Sequence, residues 1–111
     1  MNSLEKLRQD INELDRQLLH LLSERVHVAL QMFELKKRSN LPLYDPVREK
    51  EILEDCSRRV KEPLDVKDLQ AFVSLLIRIG KNVQCRKENK PMIPYSDLQT
   101  HLKELDQDTT K

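Results

Sequence analysis

One arginine sits where an apolar residue belongs. Apolar residues recur three or four apart at Leu4, Leu7, Ile11, Leu14, Leu18 and Leu21, then again at Val28, Met32 and Leu35. Between Leu21 and Val28 the spacing asks for one more, and the chain has Arg25. A guanidinium buried without a partner is costly, so Arg25 must meet an internal acid, a ligand or water. Lys36 lies eleven residues on and returns to the same face, ~16 Å along a helix axis. Asp45, Arg48 and Glu49 follow, at spacings that share one helix face. If that second helix folds back along the first, its charged mouth meets Arg25 and Lys36. Two or three cations beside a carboxylate suit a small, multiply anionic ligand that also carries a hydroxyl.

Each of these residues also has a purely structural account. Arg25 could sit in an interhelical ion pair, Lys36 could be a solvated end-of-helix cation, and Asp45 is first of all a helix cap. Arg8 stands one residue beyond Leu7 and ~25 Å from Arg25 along the same rod, so one small molecule cannot touch both within one chain. A crossed or antiparallel partner rod could bring its own Arg8 beside Arg25. A surface pairing of Arg8 with Glu5 or Asp15 fits the spacing as well.

These residues need helices to hold them. From Ser3 to about Arg38 there is no Gly or Pro, with Ser3 as the expected N-cap and Lys36, Lys37 and Arg38 in the last turn. A helix of that length spans ~50 Å, more than the rest of the chain can cover, which points to a dimer. Ser39-Asn40-Leu41-Pro42 breaks it. Asp45 caps a second helix with Pro46 at its first position, running to about Val60 and burying Val47, Ile52 or Leu53, Cys56 and Val60. Asp65 caps a third, with Val66, Leu69, Val73, Leu76, Gly80 and Val83 on one face, ended by Asn89-Lys90-Pro91. Gly80, the only glycine, costs ~1 kcal/mol relative to Ala in a helix interior, so close packing or a ligand must need the room. Ser96 and Gln99 form a capping box for a short fourth helix to about Leu105, followed by a loose tail.

Composition excludes several classes of function. With 111 residues the chain suits one domain. Charged residues make up 35%, and the aromatics are two Tyr and two Phe, so the core is thin and burial against a second copy is expected. The net charge of +1 provides no general reason to bind nucleic acid or membrane. Residues 1–20 lack the apolar core of a secretory signal, and nothing approaches a membrane span. Cys56 and Cys85 lack a CxxC arrangement and read as reduced thiols of a cytoplasmic protein.

Four groups of residues together resemble a known family. Leu7-Arg8-x-x-Ile11-x-x-Leu14-Asp15, the run from Leu18 to Arg25, Lys36, and Asp45-x-x-Arg48-Glu49 look like the all-helical chorismate mutases. The resemblance covers about residues 4–87, leaving 88–111 as an extension. It implies an all-α, three-helix fold with a very long first helix, in an intertwined homodimer. It also implies rearrangement of chorismate to prephenate, with no cofactor or metal. By the same resemblance Arg25, Arg48 and Arg8 of the partner subunit grip the substrate carboxylates. Lys36 and Gln84 donate to the breaking ether oxygen, while Glu49, helped by Asp45, holds the ring hydroxyl. Helix 3 departs from the family pattern: with a one-residue shortening before it, Gly80 stands where the family has Ser, while Gln84 matches.

Two competing functions remain open on the sequence. Isochorismate pyruvate lyases resemble the same fold and cations, but their pattern lacks the acid-rich helix start of Asp45 and Glu49. A non-catalytic dimeric helical adaptor would also use the long heptad rod. Weaker signals are His20, Glu24 and His27 as an exterior metal site, Arg58-Arg59-Val60-Lys61 as a basic patch, and Tyr44 as a loop lining. Arg25→Leu separates enzyme from adaptor. The enzyme loses turnover while its circular dichroism spectrum is unchanged, whereas an adaptor gains dimer stability in a thermal melt.

Overall fold

The computed structural model describes residues 2–42 and 45–95. Among them are three helices, α1 (Ser3–Arg38), α2 (Pro46–Arg58) and α3 (Val66–Lys87), and no strand. Tyr44 and the expected fourth helix from Ser96 lie outside the described residues.

Local chemistry sets nearly every helix boundary. α1 starts one residue earlier than expected: Asn2 is the cap, its Oδ1 accepting from the Glu5 amide at 2.7 Å, and Ser3 is the first helical residue. At the other end Asn40 takes a left-handed φ of 56°, the Leu41 amide bonds the Lys36 carbonyl at 2.8 Å, and the Asn40 amide bonds that of Lys37 at 3.2 Å. That is a Schellman closure, with Asn in place of the commoner glycine. α3 ends the same way, with Asn89 at φ 57° and the Lys90 amide on the Cys85 carbonyl at 2.8 Å. α2 has its Asp45 cap, with Oδ1 accepting from the Arg48 amide at 3.0 Å, and Pro46 in its first turn. It stops at Arg58, short of Val60. Asp65 and Asp68 form a capping box at the start of α3.

α3 packs against both other helices, whereas α1 and α2 make no direct backbone approach to each other. α2 therefore does not fold back along α1. Both pack on α3, and a gap remains between the two. The contact face of α1 runs through Leu22, Val26, Ala29, Leu30 and Phe33, all half-buried. The apolar stripe from Leu4 to Leu21 stays more than half exposed at every position, and no apolar side chain is fully buried among the described residues. In α2, Ile52, Leu53 and Cys56 are half-buried as expected, as is Val60 just beyond its end, but Val47 is 67% exposed. No helix among the described residues is long and apolar enough to cross a membrane.

After Asn89 the chain turns back along α3, and one side chain holds it there. Asn82 is fully buried; its Nδ2 donates to the Ile93 carbonyl at 2.9 Å and its Oδ1 accepts from the Ile93 amide at 2.7 Å. Arg78 adds a bond to the Pro94 carbonyl at 3.4 Å. The side-chain amide thus supplies the donor and acceptor that a neighbouring strand would. Asn82→Ala removes both bonds, and at ~1 kcal/mol per bond the protein loses ~2 kcal/mol, measurable as a lower midpoint in urea unfolding.

Candidate functional site

The gap between α1 and α2, floored by α3, is a recess of ≈ 260 Å³. Arg25 and Lys36 reach it from α1, Asp45, Arg48 and Glu49 from the start of α2, and Gly80 and Lys81 from α3. Its apolar wall includes Val28 and Met32 of α1, Ile52 of α2 and Ile77 of α3. Six of the eight residues singled out from the sequence thus converge on one cavity. α3 separates the two charged helix faces, so their charges look at each other across open space.

Arg25 is half-buried, and its Nη1 donates to the Leu76 backbone carbonyl at 3.3 Å. A helical carbonyl points towards the residue four positions on, here Gly80. No carboxylate neutralises Arg25 among the described residues, so the interhelical ion-pair account fails. Lys36 is half-buried and has no side-chain hydrogen bond or ion pair among the described residues. Arg48 is exposed and turned along its own helix to Glu51 at 3.3 Å. Asp45 keeps its capping bond at the rim.

Lys81, which the spacing of charges left unnoticed, faces Glu49 across the recess at 2.5 Å. As a lysine near a helix end it reads in the sequence like any solvated cation. Only the packing of α2 on α3 brings it to Glu49.

Gln84 stands one turn beyond Gly80 and is buried, but it lines an adjoining recess of ≈ 430 Å³ together with Phe33, Lys81, Glu88 and Ile93. Phe33 and Lys81 belong to both recesses. The Gln84 side-chain amide donates to Glu88 Oε1 at 2.7 Å, and Glu88 also meets Lys37 and Lys90. Arg8 is exposed on α1, remote from the recess of its own chain, and pairs with neither Glu5 nor Asp15.

The weaker signals have ordinary explanations. His20 Nε2 meets Glu24 at 3.1 Å on an exposed surface, and among the described residues no group of three or more His, Cys, Asp or Glu is placed to hold a metal. Arg58 and Arg59 turn back to Asp55 at 3.5 and 2.8 Å. The hydrogen bond from Arg59 holds the Asp55 carboxyl below the usual carboxylate range. That basic stretch is partly neutralised within its own helix.

Comparison with known proteins gives a consistent result. The family described as chorismate mutase type II matches residues 7–85. A bifunctional chorismate mutase/prephenate dehydratase of Aquifex aeolicus is 42% identical over 62 residues, 56% of this chain and 17% of that protein. The chorismate mutase of Methanocaldococcus jannaschii is 34% identical over 62 residues, 56% of this chain and 63% of that protein. The chain therefore covers less than two thirds of both relatives. A solved structure of chorismate mutase from Thermus thermophilus (form II) superposes with a TM-score of 0.73 at 25% identity, over 77% of this chain and 97% of that one.

Gly80 provides a direct test of what the recess requires. A methyl group added there would meet the Ala29 Cβ at 3.6 Å, an ordinary contact, so helix packing alone does not demand glycine. Gly80→Ala is expected to raise stability by up to ~1 kcal/mol, read as a higher Tm. If the open space serves a ligand, the same variant binds that ligand more weakly.

Proposed function

This chain belongs to the type II chorismate mutase family, and we propose that it performs the rearrangement itself, converting chorismate to prephenate. The observation that carries the proposal is the convergence of Arg25, Lys36, Arg48, Asp45 and Glu49 on one recess. That lining matches a substrate with two carboxylates and a ring hydroxyl. The reaction is an intramolecular pericyclic step and requires no nucleophile, metal or cofactor from the protein.

Two physical tasks then fall to the side chains. A flexible dianion must be held in the compact conformer whose reacting carbons touch, an entropic contribution. Negative charge growing on the breaking ether oxygen must also meet donors already in place. In this reading Arg25 and Arg48 bind the carboxylates, and Lys36 donates to the ether oxygen. Gln84 joins Lys36 by exchanging Glu88 for substrate. Glu49 accepts from the ring hydroxyl, with Asp45 beside it. The half-buried Lys36, with no side-chain partner among the described residues, supports its role, because such an ammonium presents its donors to an incoming ligand.

The active form in this reading is an intertwined homodimer. The exposed stripe from Leu4 to Leu21 supplies an interface, and the crossing of two rods brings Arg8 of the partner subunit to each recess. Two half-buried free thiols, Cys56 and Cys85, suit a reducing cytoplasmic setting.

Turnover of chorismate by the purified chain, with prephenate as product, tests the activity. Isochorismate as control must give no salicylate or pyruvate; those products would assign the lyase reaction instead. The crossed arginine has its own test. Arg8→Met and Arg25→Leu are each expected to lower kcat/KM at least ~10-fold, the loss of a hydrogen bond to a charged group. Co-refolded in equal amounts, the two variants restore about a quarter of wild-type turnover, because half the dimers are mixed and each mixed dimer has one intact site. No recovery on mixing would place Arg8 in the site of its own chain or in none.

A further inference from the structure

We infer that Lys81 is a substrate-binding cation of this site, supplying from α3 the carboxylate contact that Gly80, having no side chain, cannot make. The inference rests on the chorismate mutase reading and names one more residue for the same recess.

Charge is the first reason. The lining holds four cations, Arg25, Lys36, Arg48 and Lys81, against two carboxylates, Asp45 and Glu49. Removing Lys81 would halve the net charge from +2 to +1 and leave α3 without any charged group on the cavity. A dicarboxylate is the ligand for which that difference matters most, because both of its anionic ends must be neutralised away from bulk water.

The geometry leads to the same residue. Lys81 and Glu49 are only 25% and 26% exposed, and their atoms meet at 2.5 Å across the space a ligand would enter. A pair this withdrawn from water is screened far less than the exposed helix-surface pairs elsewhere in the chain. Lysine is a compact charge on a flexible four-carbon stem with three donors, so it can move between acceptors without moving its helix.

In the resting protein Lys81 meets Glu49. When a dianion enters, its carboxylate joins Glu49 around the ammonium, and Glu49 turns an oxygen to the ligand hydroxyl. The same ion pair therefore keeps Glu49 facing the cavity before substrate arrives. A residue that only tied α2 to α3, with no bearing on the ligand or on Glu49, would lower Tm and leave substrate affinity untouched.

Steady-state kinetics on the full chain, with chorismate as the probe, separates these roles. Wild-type turnover establishes the underlying reading independently of Lys81. In Lys81→Met the KM is expected to rise ~10-fold or more, the equivalent of ~1.4 kcal/mol, with a much smaller change in kcat. Lys81→Arg, which keeps the charge, returns KM to within about threefold of wild type. Should Lys81→Met fail to hold its helical circular dichroism, Lys81→Gln makes the same test, since it deletes the charge but keeps a donor towards Glu49. A neutral variant with wild-type KM and only a lower Tm overturns the inference, as does a raised KM that arginine fails to repair.

Discussion

The Arg25 guanidinium lies where α1 crosses α3, bonded at 3.3 Å to the Leu76 backbone carbonyl rather than to a carboxylate. The rest of the site depends on that arrangement. An acid in the same place would have neutralised the charge and closed the cavity. A carbonyl oxygen orients the guanidinium while leaving its positive charge in being. Gly80, the residue to which that carbonyl points, stands one turn along and lines the same recess. A glycine that costs helix stability and an arginine that interrupts an apolar stripe thus line one recess.

α3 gives the fold its function in a second way. By packing on both α1 and α2 it keeps them apart, so the cations of one helix and the mixed charges of the other face a shared opening. Helices packed directly would have turned those side chains towards one another. The three helices of the described residues therefore form a cavity and almost no core. Among the described residues no apolar side chain is fully buried, and the first half of α1 has no packing partner. Family membership, the unburied stripe and the distant Arg8 support the proposed assembly of two interlocked rods that complete each other's sites.

Much of this was legible in the sequence, and the misses have physical causes. Helix ends were readable because capping is local: Asp45, Asp65, Asn40 and Asn89 act on amides and carbonyls within a few residues. The error at the start of α1 came from two adjacent capping residue types, Asn2 and Ser3, of which the earlier one bonded Glu5. Arg25 and Lys36 were found because an interrupted period is visible in one dimension. Lys81 and Asn82 were not, since nothing in the α3 pattern sets them apart. Their partners, Glu49 and Ile93, are brought near only by the packing of α2 and by the return of residues 90–95. Val47 was misjudged because periodicity gives the spacing of a buried face on a short helix but not its phase. Gln84 lay on the expected face, yet Glu88, one turn further on, drew its amide into the adjoining recess.

The central claim is that charges from three helices are held open for one dianion. A crystal structure of the dimer with prephenate bound tests it most directly. The account predicts both product carboxylates within hydrogen-bond distance of Arg25, Arg48 or Lys81, with Arg8 of the partner subunit at the same cavity and Lys36 turned to the ligand. Prephenate bound elsewhere, or a recess in which these cations are neutralised by protein carboxylates while the ligand stays outside, would contradict it.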